Sequence, residues 1–211
     1  LLNGGVSLAG AKVTLGKTSV CQSDASDKIS VTVKLNGKTL KEGRDYTCFW
    51  PSVSERGTVG KKTVTIKAAD YNPNNYTGSI KASYTVVPDS SKELGSTKKI
   101  TASSIQLIWS TVDGASGYKI YRCDGTSKKY KLIKTIQKRS VSSYTDKGLK
   151  KDTRYRYRIV AWKKVNGKTY NSAGTNLEAY TESGKTVTVK SSKKVKIQTK
   201  NITLKEKVRT Q

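Results

Sequence analysis

Two pairs of carboxylates stand close enough along the chain to suggest acid–base work, Asp24 with Asp27 and Glu42 with Asp45. A glycosidase pair needs its two carboxyl groups facing each other across a cleft. Both pairs fall instead among turn-forming residues, where such side chains satisfy local backbone and point to water. Asp113-Gly114 and Asp124-Gly125 read as turns by the same logic. The sequence contains no His, which removes the commonest general base and the commonest metal ligand together. Three cysteines, Cys21, Cys48 and Cys123, are too few and too widely spaced for a zinc site. Cys21 and Cys48 could share a disulfide if their strands are neighbours; a pair of buried free thiols is the alternative. Cys123 has no partner in its own part of the chain. Neither G-x-x-x-x-G-K-[ST] nor G-x-G-x-x-G occurs in a context that would cradle phosphate. The expectation is a non-enzymatic chain with no catalytic, cofactor-binding or metal-binding residues.

Aromatic and basic side chains offer binding chemistry instead. Tyr118, Tyr144, Tyr155 and Tyr157 suggest a stacking platform for sugars or bases. Most of them sit on the inward parity of their strands, so core packing is the better account, and Trp109 is core on the same grounds. The opposite parity carries Lys119, Tyr121, Arg156, Arg158 and Trp162. Alternate residues on one strand lie about 7 Å apart, near the spacing of successive phosphates in a polyanion. That face is either a patch for acidic glycans or a protein ligand, or a solvated surface made basic by composition. Trp50, if exposed, is a second anchor for a partner.

The elements that must hold these residues are strands. Ala11 to Leu15 and Ile29 to Leu35 alternate apolar with polar, the period of a half-buried strand. Asn36-Gly37 supplies a tight hairpin turn. Tyr46 to Trp50, Lys62 to Lys67 and Ser83 to Val87 continue the series, and Pro88 closes it. No helical period of comparable length is present. Residues 89–98 are polar with Gly and Ser and read as a short flexible linker. Further strands follow at Ile105 to Trp109, Tyr118 to Arg122, Tyr130 to Ile133, Ser143 to Thr145 and Arg154 to Trp162. Asn166-Gly167 turns the chain into Lys168-Thr169-Tyr170. Short strands at regular spacing with turn residues between them predict an all-β fold of tandem sandwiches. The expected layout is one module over 6–88, the linker 89–98, a second module over 99–183 and a basic tail over 184–211. That tail is either the opening of a truncated third β module or a disordered stretch, given its eight lysines.

The second unit resembles a fibronectin type III domain over essentially all its length. Trp109 matches that family's buried strand-B tryptophan, Tyr118-Lys119-Ile120-Tyr121-Arg122 its strand C, and Leu149 followed by Thr153-Arg154-Tyr155-Arg156-Tyr157 its approach to strand F. Lys151 stands where many members carry Pro. The resemblance implies that Tyr155 forms a tyrosine corner, its hydroxyl bonding to upstream backbone. The first unit resembles Ig-like repeats of Gram-positive surface proteins, of the kind found in gut Clostridia. The residues that carry this are Val33 to Leu40, Gly43-Arg44-Asp45-Tyr46-Thr47, Gly57-Thr58-Val59-Gly60 and Asn75-Tyr76-Thr77-Gly78. Cys48-Phe49-Trp50-Pro51 departs from the polar residues usual there. Together the resemblances imply an extracellular, wall-associated Ig-like and fibronectin type III tandem.

Charge bounds the partners. The chain has 211 residues, 41 Lys+Arg against 15 Asp+Glu and a net charge of +26. Residues 1–88 carry 12 basic and 6 acidic side chains, 89–183 carry 20 and 8, and 184–211 carry 9 and 1. Such a field attracts polyanions such as wall teichoic acids and sulfated glycans. Specific nucleic-acid binding is not expected, because the basic residues are spread over both modules. No apolar run reaches the length of a membrane span. Absence of an initiator Met suggests that both ends were cut from something longer. The expected function is a structural or adhesive segment giving spacing and weak multivalent contacts. Alternatives are a specific binding module for host glycoprotein, antibody or polysaccharide, and an accessory region of a wall or glycan hydrolase. Oligomeric state is left open by the sequence.

Overall fold

In the computed structural model, the described residues are 5–25, 27, 29–71, 74–183, 186–188 and 194–196, the last two stretches and 95–98 as backbone only. Alternation in the sequence becomes burial in alternation. In β4 (Val31–Leu35), Val33 and Leu35 are buried while Thr32 and Lys34 are exposed. At Asn36-Gly37 both φ angles are positive (49° and 78°), the turn that feeds a twisted hairpin. The strand after it is β5 (Lys38–Thr39).

The first unit is built on Leu1–Asp89. Its other strands are β1 (Val6–Ser7), β2 (Lys12–Leu15), β3 (Ser19–Cys21), β6 (Tyr46–Phe49), β7 (Gly60–Ala68), β8 (Tyr76–Thr77) and β9 (Ser79–Val87). One sheet has the order β2-β4-β5, the other β3-β9-β7-β6, and β1 pairs with β8. The chain therefore changes sheets between β2, antiparallel to β4, and β3, parallel to β9. Between the layers lie Leu8, Val33, Tyr46, Val64 and Ile66, and the Tyr46 hydroxyl donates to Val31 O at 3.2 Å. A second cluster holds Val20, Ala25, Ile29, Tyr84 and Val86, with Trp50 packed on it. A single-turn helix, α1 (Val53–Arg56), is closed by a capping box between Ser52 and Glu55, each side chain taking up a backbone N–H of the other.

The second unit is built on Ser90–Trp162 and Asn171 onward, and one of its sheets continues through residues 163–170. Its strands are β10 (Leu94–Ile100), β11 (Ser104–Trp109), β12 (Gly117–Asp124), β13 (Lys131–Ile136), β14 (Ser143–Lys147), β15 (Arg154–Val165), β16 (Lys168–Asn171) and β17 (Thr175–Tyr180). One sheet has the order β10-β11-β14; the other is β13-β12-β15-β16, with β17 also paired to β15. Gly174 joins β16 to β17 at φ 85°, and a Cβ there would come within 2.9 Å of Arg158 and Val160. Ile105, Leu107, Trp109, Tyr118, Ile120, Tyr157 and Ile159 fill the space between the sheets. The chain is thus all-β, two β-sandwiches in tandem.

Three expectations need correction. Residues 94–100, inside and just beyond the expected linker, form β10, whose Leu94, Gly95, Ser96 and Ile100 pair with β11. A register shift between Ser96 and Ile100 accommodates a strand with only two apolar residues at its ends. Cys21 and Cys48 are free: β9 and β7 lie between β3 and β6, about 14 Å of strand spacing, where a disulfide needs Cα atoms within about 7 Å. Trp50 is half-buried against the core and meets Tyr84 edge-on at 5.9 Å; the exposed apolar side chains beside it are Phe49 and Val53. Of the tail over 184–211, β18 (Thr186–Thr188) and β19 (Lys194–Lys196) pair antiparallel, and the rest lies outside the described residues.

Candidate functional site

Register decides which side chains share a surface. β12 and β15 pair so that Tyr121 lies opposite Arg158, Cys123 opposite Arg156, Lys119 opposite Val160 and Gly117 opposite Trp162. Opposed residues point the same way. The intervening pairs, Tyr118 with Ala161 and Ile120 with Ile159, are in the core. Lys119, Tyr121, Arg156, Arg158 and Trp162 consequently occupy one outward sheet face, all half-buried.

Four of the five are held by hydrogen bonds. The Trp162 indole Nε1 donates to Ile136 O at 3.3 Å. Gly117 permits this: a Cβ there would lie 1.9 Å from Ile136 O and 3.1 Å from the indole nitrogen. Arg158 Nε donates to Asn176 Oδ1 at 2.9 Å, and its guanidinium lies 4.6 Å from the Tyr130 ring centroid, a cation–π distance. Lys119 Nζ donates to Asn171 Oδ1 at 3.1 Å. Arg156 donates to Ser127 O and to Cys123 Sγ, closing the 124–127 turn over a fully buried Cys123.

The electrostatic point is what these cations are bonded to. Asn171 and Asn176 are neutral, so the charges of Lys119 and Arg158 meet no carboxylate in these bonds, whereas Arg156 stands opposite Glu178 and helps to lower that carboxyl. Arg154 contrasts with Lys119 and Arg158, because it is paired with Glu178 and holds that carboxyl below its usual range. Beside Arg158 is a depression of about 290 Å³ lined by Tyr121, Tyr130, Val160, Asn171 and Ser172, and Leu132, opposite Tyr121, is 52% exposed. A guanidinium with spare N–H groups next to two phenol rings can take a carboxylate or sulfate while a sugar ring lies on an aromatic face. Tyr130, Leu132, Asn171 and Asn176 were not singled out in the sequence. They lie on three separate segments that only the register joins to β12 and β15.

The other candidates resolve as structure. Asp45 is fully buried. It accepts from Lys41 N at 2.8 Å, Asn74 Nδ2 at 2.8 Å and the Arg44 guanidinium, and these, Arg44 foremost, hold its pKa at about 2. It is an ionised turn lock, unfit as a general acid near neutrality. Burial pushes the Cys21 thiol up, with Asp24 and Asp89 adding to the shift, the opposite of what activates a nucleophile. Tyr118, Tyr155 and Tyr157 are core. Tyr155 makes the corner that the resemblance implies, its hydroxyl accepting from Lys150 N at 2.9 Å. Among the described residues no group of three or more His, Cys, Asp or Glu could hold a metal.

No family model and no curated protein matches the chain. Solved structures do. The crystal structure of FN3tt is 25% identical, covering 46% of this chain and 98% of that one, with a TM-score of 0.38. A two-domain fibronectin type III segment from chicken tenascin is 15% identical, covering 59% of this chain and 66% of that one, at 0.43. A computationally redesigned β-sandwich protein is 18% identical over 46% and 98%, at 0.39. The first two of these neighbours are fibronectin type III domains, similar to this chain at low identity.

Proposed function

We propose that the chain is a non-catalytic segment of an extracellular, wall-associated bacterial protein, an Ig-like surface repeat followed by a fibronectin type III module. It spaces other domains and makes weak, multivalent contacts with acidic glycans or wall polymers. The observation that carries the reading is the bonding of Lys119 and Arg158 to neutral Asn171 and Asn176, beside Tyr121 and Tyr130. Cations so held keep their charge for a partner and lose little side-chain freedom on binding. The surrounding surplus of 41 basic over 15 acidic residues speeds encounter with any polyanion, while the ordered face supplies selectivity.

The test is a glycan array at low and at physiological salt, with the chain and with Arg158→Ala and Trp162→Ala. Expected is retention of one acidic glycan class at physiological salt, weakened at least fivefold by Arg158→Ala. Binding at low salt only, to every polyanion alike and unaffected by either substitution, would reduce the role to spacing.

A further inference from the structure

The first unit leaves one side of β9 open. β7 pairs with β9 from Ser79 to Val86, but on the other side β3 reaches only Thr85 to Val87. Thr85 N–H donates to Thr18 O at 2.9 Å, away from β7. Backbone groups alternate in direction along a strand, so Lys81 and Ser83 aim their N–H and C=O groups to that same side. Among the described residues no strand pairs with them there; β2 lies across from this side of β9 without hydrogen-bonding to it.

The facing edge is open as well. Leu40 N–H donates to Val33 O at 2.9 Å, so Val33 turns its backbone groups toward β5. Its cross-strand partner Val13 then turns its own away from β4. Leu15 shares that direction. Between the two edges runs a groove of about 520 Å³, lined by Ala11, Val13, Leu15, Ile80 and Ala82 among others. All five of these side chains are half-buried, and the two alanines leave room above them.

We propose that this groove binds an extended acidic peptide segment, which adds as a strand on the Lys81–Ser83 edge. Alternate apolar side chains of the incoming strand fill the space over Ala11 and Ala82, and the residues between them face outward with Lys81. Charge selects the occupant. Lys12 and Lys81 are exposed on the two lips, no acidic residue lines the groove, and neither lysine makes an ion pair among the described residues. A second copy of this chain would lay Lys81 near its own counterpart in a molecule of net charge +26, which disfavours self-pairing.

The probe is a fluorescein-labelled heptapeptide alternating Glu and Val, compared with a same-composition peptide in which the alternation is scrambled. Fluorescence anisotropy on the 211-residue chain is expected to give at least tenfold tighter binding of the alternating peptide. Ser83→Pro deletes an N–H that has no partner strand among the described residues, together with an exposed hydroxyl contact to Thr63, which an edge strand tolerates, and Lys81→Glu reverses a lip charge without touching the backbone. Each should weaken binding at least fivefold. In the wild-type protein, saturation with peptide should slow amide exchange of Lys81 and Ser83 at least tenfold. Absence of binding, equal affinity for the scrambled peptide, or unchanged exchange at those two amides would overturn the proposal. So would self-association that slows the same amides without peptide, because the occupant would then be a second copy.

Discussion

Tyr157 and Asp146 join the two sheets of the second unit: the phenol on β15 donates to Asp146 Oδ2 on β14 at 2.9 Å. Arg122, from β12, donates to the same carboxylate at 3.1 and 3.3 Å and also pairs with Asp124. Burial and the nearby Asp146 push the Tyr157 phenol far up, so it stays a donor at any physiological pH. Asp146 is 4% exposed. Asp146→Ala would leave both a buried phenol and a guanidinium without this partner. Removing one member of such a network costs about 3–5 kcal/mol, and chemical denaturation should show the second unit losing most of its stability.

Tyr157→Phe is the milder counterpart. Asp146 keeps Arg122, so only one buried bond is lost, about 1–2 kcal/mol. A loss as large as that of Asp146→Ala would mean that the tyrosine, and not the ion pair, organises the network.

The tyrosine corner predicts a local effect. Tyr155→Phe removes the acceptor of Lys150 N–H, at about 1–2 kcal/mol. Hydrogen exchange at the Lys150 amide should accelerate more than at the neighbouring core amides, which a general loosening would not produce.

Acid should weaken the first unit through Asp45. Its pKa is lowered from the model-peptide value of 3.8 to about 2, so its stabilisation is full above about pH 4 and is lost as pH falls toward 2. Arg44, its main cause, is 45% exposed, and solvent screening holds the contribution to roughly 1–2 kcal/mol. Asp45→Asn should flatten that part of the stability profile, measured by urea melts between pH 2 and 5.

Arg56 is 7% exposed, and its Nε and Nη1 have no hydrogen-bond partner among the described residues. A buried cation so placed is a burden, and an apolar side chain of similar length relieves it. Arg56→Met should raise the melting temperature of the first unit, by about 1 kcal/mol in stability. A loss of similar size would show that the guanidinium is satisfied in solution.

Much of this was legible in the sequence. Alternation placed Trp109, Tyr118, Tyr155 and Tyr157 inside and put Lys119, Tyr121, Arg156, Arg158 and Trp162 on one outward face, because parity along a strand is local information. Sheet order is not local. Whether Cys21 and Cys48 lie on neighbouring strands was open in the sequence, because β9 and β7, which insert between those strands, come later in the chain. The first strand of the second unit was read as linker because Leu94 and Ile100 are its only large apolar residues and backbone pairing forms most of it. The Ser52-x-x-Glu55 spacing of the α1 cap was present in the sequence, yet one turn is too short to leave a helical period.

The change of sheets between β2 and β3 has a consequence under load. β3, near the start of the first unit, runs parallel to β9 at its end, with Ser19, Val20 and Cys21 opposite Thr85, Val86 and Val87. Tension applied to the two ends of the unit pulls these strands along their length in opposite directions. Their hydrogen bonds are then strained together in shear and cannot open one after another like a zip. The short parallel patch is therefore where a pulled chain would hold or give way.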